Sequence, residues 1–190
     1  MKWSQVVFLG EEISRNLKSN SSATSDMLYL GLKGPSLSSY KRMVEDLKRK
    51  AMKELNLPEE EIVVRSLRPT DLGLATPAWS FNIATTVWNT MVNTTVADNR
   101  FIGINGIVYL ETSAQSISEL KITRMGKVSS YWNIEGLILC ENPYMFVDNP
   151  VIADQNTNIT IEGYGIGTNT AEKMGFMGAV AEKRGLLINP

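Results

Sequence analysis
Two glutamates, Glu135 and Glu162, fall inside runs of β-branched and aromatic residues, Trp132–Leu139 and Ile159–Tyr164. Paired carboxylates on a sheet face are the machinery of glycoside hydrolysis when they stand roughly 5–10 Å apart. Alternation, however, puts Glu135 on the same side of its run as Asn133, the polar side, so it reads as a solvent-facing glutamate. Gly163, Gly165 and Gly167 follow the second run and suggest a phosphate-cradling loop. The dinucleotide fingerprint needs a further glycine three residues on, where Thr170 stands, and then a helix, a strand and an acidic residue. These glycines therefore read as a flexible or bulged strand end. Asp148, Asn149, Asp154, Asn156 and Asn158 are oxygen donors of the kind Ca²⁺ prefers, but their spacing fits no EF-hand loop and they read as a polar loop.

What is missing narrows the chemistry further. The 190 residues include no histidine and one cysteine. Ser-His-Asp and Cys-His catalysis are impossible, as are His-ligated zinc sites and thiolate clusters. Cys140 follows Leu137-Ile138-Leu139 and is expected to be a small buried apolar residue. No catalytic residue, cofactor or metal is expected, and the chain does not read as an enzyme.

Two binding faces remain. Arg42, Arg49 and Lys53 fall on one side of a strongly patterned helix, with Lys41, Lys48 and Lys50 nearby, and could meet phosphate or a protein partner. Glu45, Asp46 and Glu54 interrupt them, which favours a solvated, ion-paired face. Trp79, Trp88 and Trp132, with Tyr131, could line a sugar platform, although aromatics in such strands more often pack in a core or interface.

The elements that must position these residues divide the chain in two. Residues 1–58 read as a helical N-terminal arm. Trp3, Val6, Val7, Ile13 and Leu17 give a helix over Ser4–Lys18, followed by a polar linker over Ser19–Asp26 and a short apolar segment, Met27–Leu32. Tyr40, Met43, Val44, Leu47, Ala51 and Leu55 form one stripe at 3/4 spacing and predict a second helix, Ser36–Leu55, stopped by Asn56-Leu57-Pro58.

Residues 59–190 read as a β-sandwich domain. Strands are expected at Ile62–Leu67, from Trp79 to Val87, and at Phe101–Leu110, Ile117–Thr123 and Tyr131–Leu139, with a turn at Arg68–Gly73. Further strands follow over Cys140–Asp148, broken by Pro143 and Pro150, and around Ile159 and Ile161. Glycines at 175, 178 and 185 make Ala171–Pro190 a hairpin in preference to a helix: Phe176–Ala181, a turn, then Leu186–Ile188. The fold class is α+β: N-terminal helices, then an antiparallel β-sandwich of jelly-roll type.

Composition agrees. Hydrophobic residues make up 43% and charged residues 21%, an ordinary globular balance, and the net charge of −1 gives no overall attraction to nucleic acid or anionic membrane. One cysteine allows no internal disulfide, which suits a reducing compartment. The N-terminal apolar run, Val6–Leu9, is too short for a secretion signal or membrane span, so the sequons at Asn20, Asn93 and Asn158 read as chance.

The stretch RSLRPTDLG at Arg65–Gly73, the Trp79 that follows, and a sheet pattern ending in FMGAVAEKRGLLINP resemble structural proteins of viruses and tailed phages. In layout, from about Glu61 to Pro190, the chain is similar to small capsid or capsid-associated jelly-roll subunits. The resemblance implies a non-enzymatic virion protein, assembled in the host cytoplasm with copies of itself and other structural subunits. No site residue is implied by it. Two rival expectations stand beside it: a carbohydrate-binding β-sandwich module using the tryptophans, and a glycosidase using Glu135 and Glu162.

Overall fold
A computed structural model describes residues 35–110, 115–140 and 143–186. The expected first helix, the linker after it and the segment Met27–Leu32 lie outside the described residues. The second helix forms as its stripe dictates: α1 spans Pro35–Leu55. It opens on a proline, whose missing N–H is no loss at that position, and ends where Asn56 turns left-handed at φ 53°. Tyr40, Met43, Leu47 and Ala51 are fully buried beneath it.

Ten strands follow: β1 (Ile62–Ser66), β2 (Phe81–Ile83), β3 (Trp88–Thr95), β4 (Arg100–Tyr109), β5 (Ile117–Arg124), β6 (Lys127–Asn133), β7 (Tyr144–Ala153), β8 (Asn158–Gly165), β9 (Asn169–Glu172) and β10 (Met174–Lys183). They form a four-stranded sheet in the order β1-β10-β4-β7, a second in the order β3-β8-β5-β6, and a small ribbon of β2 with β9. Every strand pair is antiparallel. The pairing is nested: β1 pairs with β10, β2 with β9, β3 with β8, β4 with β7 and β5 with β6, so each strand meets its counterpart across the central β5–β6 hairpin.

Side chains from both large sheets share one core. Ile102, Ile104, Ile107, Phe176 and Val180 from the first sheet pack with Leu120, Ile122, Trp132, Ile159 and Ile161 from the second. A second cluster joins α1 to the other face of the first sheet through Met43, Leu47, Ile62, Val64, Phe101, Ala179 and Ala181. The layers are therefore helix, sheet, sheet. Being covered on both faces, β10 is buried from Met174 through Glu182 and does not alternate.

Arg65 closes the edge of the first sheet. Its guanidinium donates at 2.7 Å to each carboxylate oxygen of Asp71, and through Nε at 2.9 Å to Glu182. Arg100 reaches the same Glu182 at 2.9 Å, and the Asp71, Glu182 and Arg65 side chains are each no more than 4% exposed. Asp71 also accepts the backbone N–H of Arg68, which shapes the 3-10 turn Pro69–Leu72 expected as a loop, and Gly73 ends that turn at φ 76°. Burial works against the Arg65 charge, yet Asp71 and Glu182 more than offset it and hold its pKa above the ordinary arginine value.

Several expected elements need correcting. The run Tyr131–Leu139 is not one strand: β6 begins earlier, at Lys127, and ends at Asn133, after which Gly136 at φ 75° leads into a 3-10 turn, Leu137–Leu139. Trp79–Val87 contributes only the short β2, because Thr86 at φ 61° reverses the chain before Trp88. The first arm of the expected C-terminal hairpin is longer than Phe176–Ala181, running as β10 from Met174 to Lys183 before a turn at Gly185; the expected return strand falls almost wholly outside the described residues. Cys140 is exposed, since the turn before it leaves Leu139 at the surface. Among the described residues there is one α-helix.

Two stability predictions follow. Arg65→Met strands the buried Asp71 carboxylate, leaves Glu182 to Arg100 alone, and should cost about 3–5 kcal/mol in urea unfolding, with Arg65→Lys intermediate because it loses the two-pronged contact. Asn105 is an extra residue in β4, opposite no partner on β10 or β7, and neither of its fully buried amide atoms has a hydrogen-bond partner. Asn105→Leu should therefore raise stability, by about 1–2 kcal/mol in the same assay.

Candidate functional site: the outer face of the second sheet
Strand alternation divides the residues of β8 cleanly. Ile159, Ile161 and Gly163 face the core, leaving Asn158, Thr160, Glu162 and Tyr164 on the outside. Register extends this outer set across the sheet in rows. Trp88, Tyr164, Glu119 and Asn133 form one; Thr90, Glu162, Lys121 and Tyr131 form the next; Asn93, Thr160, Thr123 and Val128 form a third.

Where the first two rows meet, three aromatic rings gather. Trp88 packs edge-on against Tyr164, with centroids 5.4 Å apart, and against Tyr131 at 6.3 Å. Lys121 Nζ sits 4.7 Å from the Trp88 ring centroid and pairs with Glu162 at 2.7 Å. A cation over a ring contributes about 0.5–1 kcal/mol at a surface, and the Glu162 bridge fixes the lysine there. Tyr131 remains 56% exposed, so it is a surface residue and not the packing group its neighbour Trp132 is. The third row is polar: Asn158 Nδ2 donates to Asn93 Oδ1, and the Thr160 hydroxyl lies within bonding distance of the same oxygen.

The tryptophans thus separate. Trp132 is buried in the core, and Trp79 packs edge-on against Phe176 at 5.6 Å. Among the described tryptophans, only Trp88 joins the outer face. Its rings cross those of Tyr164 and Tyr131 at 67° and 61°, and Lys121 covers one side of it, so no two rings form a flat platform.

The two glutamates also separate. Glu162 is engaged with Lys121, while Glu135 lies in the turn beyond β6. It is four residues past Tyr131 in the Glu162 row and two strands across, on the order of 15 Å by strand geometry. Paired-carboxylate hydrolysis works at roughly 5–10 Å.

Of the three glycines, Gly163 and Gly165 serve packing, while Gly167 has room for a side chain. A Cβ on Gly165 would stand 2.0 Å from the Ala84 carbonyl oxygen. The oxygen-rich loop is dispersed: Asp154 pairs with Lys50 on α1 at 2.6 Å, and Asn156 donates to Asp98. Among the described residues, no three of His, Cys, Asp and Glu gather closely enough to hold a metal ion.

Arg42, Arg49 and Lys53 are all exposed on the solvent side of α1. Arg49 bridges to Asp46, while Arg42 and Lys53 make no ion pair among the described residues. Lys48 is held by Glu59 at 2.6 Å, which lowers the glutamate's pKa. The face is a mixed, partly neutralised one.

One polar cluster was not anticipated. Glu172 on β9 is 1% exposed, accepts the Ser116 backbone N–H at 3.2 Å, and takes a 2.7 Å bond from Asn169 Nδ2. Gln115 donates to the carbonyls of Ile117 and Ile134. Tyr109 lies beside both Glu172 and Gln115. A glutamate in a Gly/Thr-rich tail gives no warning of this, because its burial comes from the β2–β9 ribbon closing over it. The cluster ties the ribbon to β5.

No protein-family model matches the chain, and no curated protein matches it in sequence. No helix among the described residues is long and apolar enough to cross a membrane.

Burial first, and then the Glu172 charge, hold the Tyr109 hydroxyl far above its ordinary pKa. The unfolded chain releases that proton near pH 10 and the folded chain keeps it. Stability is therefore whole below about pH 10 and falls above it, by roughly 1.4 kcal/mol per pH unit for this group. Tyr109→Phe should flatten that alkaline limb in unfolding measured from pH 9 to 11.5.

Proposed function
We propose that the chain is a structural, self-assembling protein on a jelly roll, most concretely a virion or capsid component that makes subunit contacts through its sandwich surfaces. The observation that carries this is the nested pairing order. Set aside the β2–β9 ribbon and number the remaining strands afresh, and the two sheets read 1-8-3-6 and 2-7-4-5. A long hairpin wrapped across two sheets takes that order in a jelly roll, an architecture that capsid subunits, lectins and cupins use.

Fold does not fix function, so the surface must choose among these. With no histidine in the chain, a cupin-like centre with imidazole ligands has nothing to build on. The crossed rings of Trp88, Tyr131 and Tyr164 suit a protein contact, where edge-on aromatics and a Lys–Glu pair form part of an interface, better than a flat sugar-stacking platform. Arg65, Asp71 and Glu182 are committed to closing the sheet edge, and the buried Glu172 to tying the β2–β9 ribbon to β5. Surfaces are what the chain offers a partner.

Light scattering after size exclusion, with negative-stain imaging, tests the proposal. Oligomers or regular particles are expected as concentration rises, with the population shifting with salt. A monomer at every concentration and salt would overturn it. A glycan array run in parallel covers the lectin reading: sub-millimolar sugar binding lost in Trp88→Ala would put that reading in its place.

A further inference from the structure
We infer that a second copy of this chain docks along the free edge of β6, pairing antiparallel with the same strand so that the two four-stranded sheets become one. This rests on the self-assembly reading and names the surface it uses.

The sheets have four edges, β1 and β7 in the first and β3 and β6 in the second. Proteins protect such edges from unwanted pairing by shortening, bending, covering or breaking them. β1 has five residues and is largely buried, with Arg65 on it clamped by Asp71 and Glu182. β7 carries Pro150 and a register break opposite Asn105. β3 is bulged between Thr90 and Val92, and Thr94 lies against Gly73, so the turn Pro69–Leu72 flanks it. β6 shares one of these devices, a bulge that leaves Ser129 without a partner on β5, but among the described residues no turn, clamp or proline covers or breaks it. It is a seven-residue strand with no proline, and five of its residues are exposed.

Its surface is also apolar where an edge should be charged. Of the eight large hydrophobic residues exposed among the described residues, two lie on β6 and a third at the tip of its hairpin: Val128 at 50%, Tyr131 at 56% and Met125 at 73%. The charge pattern then selects the occupant. The strand starts with a cation, Lys127, and a carboxylate, Glu135, follows its end; both are exposed and neither forms an ion pair among the described residues. Two copies placed parallel would set like charges together. An antiparallel two-fold pairing about Ser130 brings the Lys127 end of one strand to the Asn133–Glu135 end of the other, so each lysine meets the second copy's carboxylate. The strand is complementary to itself in one direction only.

Sedimentation velocity on the full chain tests this with charge reversal. Lys127→Glu should weaken association about tenfold, and adding Glu135→Lys should restore it, because the reversed pair is again complementary. Circular dichroism checks that both exposed-site variants stay folded. In a Cys140→Ser background, a single cysteine at Ser129, Ser130 or Tyr131 should form a covalent dimer on mild oxidation at one of the three positions, and Arg42→Cys should not. Assembly that persists unchanged in Lys127→Glu, without cross-links at the strand, overturns the β6 contact and leaves the self-assembly reading standing. A chain that never associates overturns both.

Discussion
The structure depends on one constraint: the middle strands of the first sheet, β10 and β4, must be dry on both faces. β10 is buried along nearly its whole length, and β4 is almost as completely enclosed. A strand in that position cannot alternate, so each of its faces needs its own cover. On one side the cover is α1; on the other it is the second sheet. The choice of residue follows from the distances involved. A Cβ on Gly103 would lie 2.7 Å from Leu47 and 2.9 Å from the Met43 sulfur, so glycine lets the helix sit directly on the strand. Ala179 and Ala181 keep the same face of β10 shallow. Enlarging them would lift the helix, and lifting the helix would wet Phe101 and Met177 as well.

The buried ions answer a second need created by that arrangement. β1 is the edge strand beside β10. Arg65, Asp71, Glu182 and Arg100 fill that margin with groups that satisfy one another, Arg65 serving two carboxylates and Glu182 two cations. Such a network contributes little net stability against an apolar filling, but it tolerates almost no change of partner, so it fixes β1 in register and anchors the turn behind it. Perturbed, buried ionisable groups often mark catalytic sites. In the Arg65 network each is answered by a partner of opposite charge within the fold, which is the mark of a structural network.

How much of this could be read from the chain varies with the kind of signal. The helix stripe from Tyr40 to Leu55 and the runs at Ile62, Phe101 and Ile117 are legible because burial and periodicity coincide there. β10 is legible only in part: the glycines point to a strand at Phe176–Ala181, but its full length, Met174–Lys183, depends on the two layers that cover it. The end of β6 is likewise hidden, since Leu137, Ile138 and Leu139 continue an apolar run that Gly136 turns aside. The candidate site was half visible. Trp88 and Tyr131 stand out as aromatics, but nothing local says that Trp132 and Trp79 belong to the core while Trp88 does not. That sorting depends on cross-strand register, which joins residues more than seventy positions apart, as Trp88 with Tyr164.

Nested pairing also decides where the vulnerable edges must be. In this order the central hairpin β5–β6 is the innermost element, and β6 pairs with β5 alone. It therefore stands at the end of its sheet by topology, whatever its sequence. Sequence decides only how that end is treated. A chain selected to stay alone would place charges or a proline there, as β7 does with Pro150. Instead, serines and Val128 line the strand, Tyr131 stands out beside Trp88, and the charges sit only at its two ends. An edge that the fold imposes, and that only the bulge at Ser129 interrupts, is best explained as an edge that something covers. Its own copy is the partner whose charges already match.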